Sequence, residues 1–400
     1  MTSDLGLELA ISTAARDSPG LQLSSTRLSY LDNIRWVVIV LVLSMHAADT
    51  YSPFGNWYYT EHARPDFGTL LFFGTYQSFL QAFFMGLLFF IAGYFTPRSY
   101  DSKGALRFLR DRFLRLGIPT LLYMLAIGPL TEYFVSRSWH TRWSFPKAWL
   151  EYVKTGDVLS GSGPLWFCVA LLMFSTGYAA VRQLRPELPR RHDLGPLPRS
   201  GAILAFVAGL GLSTFALRLF IPSGTAVLNM QVADFPQYIS MFVLGAWAWR
   251  GQWLARLDAR LGKRWAAVAL LAGLVLWTAL IALGGAVDGD TRAYAGGPTW
   301  QNFGMSLWSA IICAGMTLGM LVVFRERFSA QGRIARFMTD NAFAVYVIHP
   351  PILIGIAILL HGMDIPALPK FLLLTALSVT ASFAVAQLIV RRIPWLKEIL

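Results

Sequence analysis

Residues 32–50 read DNIRWVVIVLVLSMHAADT: Asp32 and Arg35, ten uncharged residues, then His46 and Asp49. As a helix this stretch reaches about 28 Å, close to the ~30 Å hydrocarbon core of a bilayer. The rest of the chain decides whether the solvent is lipid. Of 400 residues, 55% are hydrophobic and only 14% charged, against about a quarter charged in soluble domains. Positive mean hydropathy excludes a disordered chain, and two cysteines exclude a disulfide-stapled secreted scaffold. The sequence therefore predicts an all-α integral membrane protein.

Working outward, nine more segments are long and apolar enough to span: 74–96, 116–135, 165–181, 201–221, 235–250, 265–286, 303–324, 341–361 and 369–390. The second lies in an apolar stretch that begins near Phe67, and the sixth is short. With ten spans, 26 of the 34 basic residues fall on the side of the N-terminus and seven on the other, with Arg218 inside a span. The positive-inside rule then predicts both termini in the cytoplasm of a multi-pass plasma (inner) membrane protein. Most of the +12 net charge is orientation, and nucleic acid is not expected as a partner. Membrane lipids are. Residues 1–27 lack an apolar h-region and are expected to be a loose cytoplasmic tail rather than a signal peptide. Residues 28–392 form the membrane domain and 393–400 a short cytoplasmic end. The stretch 182–200, with four prolines and five arginines, reads as a cytoplasmic linker. The outer loop 131–164 places Trp139, Trp143, Phe145 and Trp149 at the membrane interface.

Ionisable groups inside spans are costly and mark function by default. Arg35 and His46 are eleven residues apart, three turns plus about 20°, so they share one stripe about 16 Å long. Asp32 and Asp49 join it. Each alone fits a plainer role: a snorkelling arginine, or a histidine bonded to a bundle carbonyl. After the second span, which ends Phe89-Phe90-Ile91-Ala92-Gly93-Tyr94, a basic loop leads to Arg112 and Arg115 where the third span begins. Arginines one turn apart can grip phosphate oxygens or anchor to headgroups. The fourth span opens Gly163-Pro164-Leu165-Trp166-Phe167, and the ninth holds Tyr346-Val347-Ile348-His349-Pro350-Pro351, a histidine at a proline kink. His62, His140, His192 and His361 read as loop or interface residues, and no metal spacing is present, so no metal is expected. Cys168 and Cys313 fall inside spans as small hydrophobes.

Taken in order, these segments resemble the membrane-bound acyltransferase family 3, and within it the glucan biosynthesis protein C-like branch. The resemblance runs from about residue 28 to 390. Ala92 departs from it, since the family often carries serine there. The resemblance implies an O-acyltransferase that takes an acyl group from cytoplasmic acyl-CoA, its donor substrate. The recipient is a hydroxyl of an extracytoplasmic or membrane-associated glycan, lipid or metabolite. Arg35, Arg112 and Arg115 would then hold the coenzyme A phosphates. His46 would act as general base on the acceptor hydroxyl, or carry the acyl group, with Asp49 orienting it. His349, Tyr346 and Trp166 would shape the acceptor side, while oxyanion stabilisation stays unassigned. Arg64, Arg218 and Arg292 are candidates for reading a charged acyl group. Two other classes fit the residues: a secondary transporter, and a scaffold recruited to another reaction such as a cyclisation. Oligomeric state is not legible.

Overall fold

The computed structural model describes residues 28–55, 57–61, 66–138, 144–185, 197–289 and 291–400. The tail, His62, Arg64, Trp139, His140, Trp143 and His192 lie outside them. Nine helices are long and apolar enough to cross a membrane among the described residues. They are α1 Ser29–Tyr51, α2 Phe67–Lys103, α3 Ala105–Ser136, α4 Gly163–Leu184, α5 Ser200–Arg218, α7 Ala259–Leu283, α8 Trp300–Arg327, α9 Arg333–Leu360 and α10 Ala367–Arg392. The sixth expected span is a helix at its expected bounds, α6 Phe235–Arg250, but has 16 residues. At 1.5 Å per residue that is about 24 Å, short of the hydrocarbon thickness. It nonetheless joins the same two ends of the bundle as its neighbours. Beside its start, Asp234 pairs with Arg218 at 2.8 Å, and at its end Arg250 donates to Tyr178 Oη at 3.0 Å.

α6 packs along α2, and two glycines explain how closely. A Cβ on Gly93 would lie 2.0 Å from the Phe242 carbonyl oxygen, and one on Gly245 would lie 2.1 Å from that of Phe90. Without a hydrophobic drive between helices in lipid, such small residues let backbones meet and gain dispersion contacts. Gly93 of the Phe-Phe-x-x-Gly-Tyr segment is therefore a packing requirement. α1 sits against α2, α8, α9 and α10, with Asp49 of its polar stripe buried and Arg35 partly exposed.

Prolines shape α3 and α9. The third span starts eleven residues before its expected edge and contains two π-helical turns, Phe113–Gly117 and Tyr123–Ile127. Each turn comes just before a proline, Pro119 or Pro129, whose ring displaces the carbonyl four residues earlier. The carbonyl of Leu125 displaced in this way accepts from Trp149 Nε1 at 2.9 Å, from the short helix Phe145–Lys154 that follows α3. At the start of α4, Gly163 has φ +49°, and a Cβ there would meet Tyr123 and the Tyr58 hydroxyl. A two-residue hairpin turn, Leu228 and Asn229 with φ of 51° and 64°, seats Asn229 Nδ2 on the Gly163 carbonyl at 2.7 Å.

Candidate active site

α1 is one uninterrupted helix, so the three-turn spacing of Arg35 and His46 survives folding and each residue reaches a different end of the bundle. At the His46 end, Nδ1 lies 3.1 Å from Asp49 Oδ2. A carboxylate accepts, so Nδ1 carries the proton and Nε2 of the neutral ring carries the lone pair. Asp49 is 5% exposed, and its other oxygen accepts from Gln77 Nε2 at 2.6 Å. Gln77 Oε1 in turn accepts from Ser52 Oγ at 2.6 Å, and Ser52 Oγ accepts from the Phe54 amide at 3.1 Å. The result is a buried chain, Ser52–Gln77–Asp49–His46, in which each partner orients the next.

Three rings lie nearly parallel around His46. The Trp57 indole stacks on it at 3.7 Å between centroids and 12° between planes. His349 is 5.5 Å from His46 at 11°, and 6.2 Å from Trp57 at 8°. The angle these separations make at His46 is close to a right angle. His349 therefore lies beside His46, and Trp57 covers the layer from one face.

His349 is fully buried in α9. Pro350 has no amide proton, which deprives the Tyr346 carbonyl of its helical partner. His349 Nδ1 donates to that carbonyl at 2.8 Å. The kink and the histidine thus form one unit, and the bond leaves Nε2 as a lone pair. That Nε2 is buried with no hydrogen-bond partner among the described residues. Tyr346 is committed elsewhere, its hydroxyl donating to the Pro164 carbonyl, which ties α9 to the start of α4.

Trp166 is not with these groups. Its ring partners among the described residues are Phe89, Phe167 and Tyr238, so it belongs to the aromatic core that joins α2, α4 and α6. Nor is Arg218 available to a charged acyl group, because Asp234 neutralises it in a largely buried pair. Arg292 is exposed on the short turn between α7 and α8. His361, expected in a loop, bonds through Nδ1 to Tyr59 Oη at 2.9 Å and sits 3.8 Å from Glu61. Burial pushes the Tyr58 and Tyr59 phenols up to about 12, so both serve this loop as neutral hydroxyls.

At the opposite end, Arg35 pairs with Asp32 at 3.2 Å and lies 4.8 Å over the Phe95 ring. Arg112 donates to Thr96 Oγ1 at 3.4 Å, lies over Phe108, and is within electrostatic range of both Arg35 and Arg115. Arg115, in the first π turn, is exposed. The neighbouring Asp111 is taken by Lys103 at 2.5 Å. Three guanidiniums thus collect where α1, α2 and α3 meet, with Asp32 on Arg35 and Asp111 within electrostatic range of Arg112 and Arg115. Such a cluster suits an anion with several phosphate oxygens.

Gln77 and Trp57 were not among the residues expected from the sequence. Gln77 had a usable signal, one of two amides (with Gln81) set four residues apart in an apolar run. Trp57 lies in a loop without periodicity, and only the folded chain places it.

The chain belongs to acyltransferase family 3, whose profile, described as an acyltransferase domain, matches residues 28–387. It is similar to the glucans biosynthesis protein C of Salmonella schwarzengrund (strain CVM19633), 22% identical over an alignment of 344 residues that covers 81% of each chain. Its likeness to the protein of that name from Salmonella heidelberg (strain SL476) has the same extent. No solved structure matches it.

Proposed function

Taking an acyltransferase of the membrane as the premise, we propose that this chain moves an acyl group from acyl-CoA to a hydroxyl through His46. The observation that carries the reading is one helix, α1, which presents the guanidinium cluster at one end and the Asp49-oriented His46 at the other. Coenzyme A is polyanionic with a long, thin pantetheine arm. Its phosphates would rest on Arg35, Arg112 and Arg115 while the thioester passes along α1. The acceptor hydroxyl gives its proton to His46 Nε2, and Asp49 stabilises the imidazolium that forms. His349, beside His46 with its own Nε2 open, accepts a second hydrogen bond from the acceptor.

The acceptor is an extracytoplasmic or membrane-associated hydroxyl, and the likeness to a glucans biosynthesis protein favours a glycan over a lipid or small metabolite. The excess of basic residues at the Arg35 end supports N-in, C-in topology in the plasma membrane, with α6 as a short tenth span sheltered by α2.

The test uses membranes holding equal amounts of wild-type protein and His46→Ala, supplied with carbon-14 acetyl-CoA or succinyl-CoA. Label should reach the envelope glycan fraction with wild type and fall to background with the variant. Undiminished transfer by the variant refutes the role of His46.

A further inference from the structure

The loop after α1 carries the Trp57 ring onto His46 and is held there at both ends. The Glu61 amide donates to the Thr50 carbonyl at 2.8 Å, so the ends meet as in an Ω-loop. The Glu61 carboxylate accepts from Lys370 Nζ at 2.7 and 3.0 Å, in a pair largely withdrawn from solvent. At the near end, a Cβ on Gly55 would lie 2.1 Å from Asp49 Oδ1, so the strand passes directly over that carboxylate. The height and tilt of the indole are thereby set by the scaffold.

That indole holds a donor with nothing to bond. Trp57 Nε1 is buried and has no hydrogen-bond partner among the described residues, whereas buried indole N–H groups usually find one. Trp277 and Trp308 do so here, on Thr75 Oγ1 and the Gly273 carbonyl. Leaving such a group unpaired forfeits the hydration it gave up on burial. The partnerless acceptor His349 Nε2 belongs to the neighbouring ring. An orphan donor and an orphan acceptor around one base make a site for a ligand that accepts at one point and donates at another.

We propose that Trp57 Nε1–H is the oxyanion donor of this acyltransferase, an inference that rests on His46 as the base. The acceptor oxygen, losing its proton to His46 Nε2, forms a bond to the thioester carbon. The carbonyl π pair moves onto oxygen, and that oxyanion takes the hydrogen bond from Trp57 Nε1. On collapse the C=O bond re-forms, the C–S bond breaks, and the coenzyme A thiolate takes the proton from His46. An ester and a free thiol result, with no other reactant. The indole face over His46 also favours the imidazolium in that interval.

The experiment replaces Trp57 in the full-length protein by β-(3-benzothienyl)alanine, which keeps the shape and removes the N–H, and separately by Phe. Transfer from labelled acetyl-CoA or succinyl-CoA to the envelope glycan fraction is measured beside His46→Ala. Both Trp57 variants should lose about 10²–10³ in kcat, with donor KM within about twofold and no fall in melting temperature. Wild-type kcat in the benzothienyl variant overturns the proposal while leaving His46 as base. Full activity of His46→Ala, or no transfer by the wild type from either donor, overturns the underlying reading and this proposal with it.

Discussion

Replacing Asp49 by Asn tests the base through a constraint that resides in α2. Both carboxylate oxygens of Asp49 accept hydrogen bonds, one from His46 Nδ1 at 3.1 Å and one from Gln77 Nε2 at 2.6 Å. Reversing the Gln77 amide would take from Ser52 Oγ–H the acceptor it holds at 2.6 Å, which opposes the flip. In Asp49→Asn the favoured arrangement therefore turns the new amide's oxygen to Gln77 and its NH2 to His46. Nδ1 then has to accept, the ring proton moves to Nε2, and the lone pair that takes the acceptor proton is lost. General-base catalysis is worth about 10²–10⁴-fold, so kcat should fall by that factor, about 3–5 kcal/mol of barrier. Donor KM should move less than about threefold, because the phosphate-binding end is untouched. Adding Gln77→Leu frees the amide to rotate and offer its oxygen to Nδ1–H. The double variant should thus recover about tenfold over Asp49→Asn, although Gln77→Leu alone lowers activity, a coupling of the kind a double-mutant cycle isolates. The assay is labelled acyl transfer at saturating donor with protein amount matched. Activity of Asp49→Asn within about fivefold of wild type refutes the tautomer argument. A double variant no better than the single refutes Gln77 as the clamp.

Arg35→Gln and Arg112→Gln should each raise donor KM about tenfold or more, the scale of one lost charge-assisted hydrogen bond of about 1.5–3 kcal/mol. Their kcat should stay within about twofold, and lysine at either position should not restore binding that depends on a planar fork; a steady-state titration with acyl-CoA checks both points. Gly93→Ala places a methyl 2.0 Å from the Phe242 carbonyl oxygen, a backbone atom that cannot swing aside. It should cost about 1–3 kcal/mol, read as a lowered melting temperature in detergent, while Gly104→Ala, where the added atom meets nothing but φ is +74°, should cost less.

Some of the site was legible because it is local. Arg35, His46 and Asp49 lie on one helix, and a 3.6-residue period carries their relation without any partner. His349 was legible in kind, as a histidine at a proline kink, and the structure adds that Pro350 itself frees the carbonyl that sets its tautomer. Trp166 shows the limit of the same reasoning. It follows Pro164 by two residues, yet the carbonyl of Pro164 meets Tyr346 while the Trp166 ring faces Tyr238. Nothing in a one-dimensional pattern says which way a ring turns at a helix start.

By itself the sequence determined the solvent of this protein, the order of its apolar spans, its charge asymmetry and the polar stripe of α1. Each follows from composition or from a period within one element. Only the tertiary structure decided that Gln77 clamps Asp49 from 28 residues away, that a pinned loop lays Trp57 over His46, and that Asp234 neutralises Arg218. Those relations are hydrogen bonds, ring contacts and ion pairs between separate elements. They exist only once backbone-close packing of the kind Gly93 and Gly245 allow has brought the helices together.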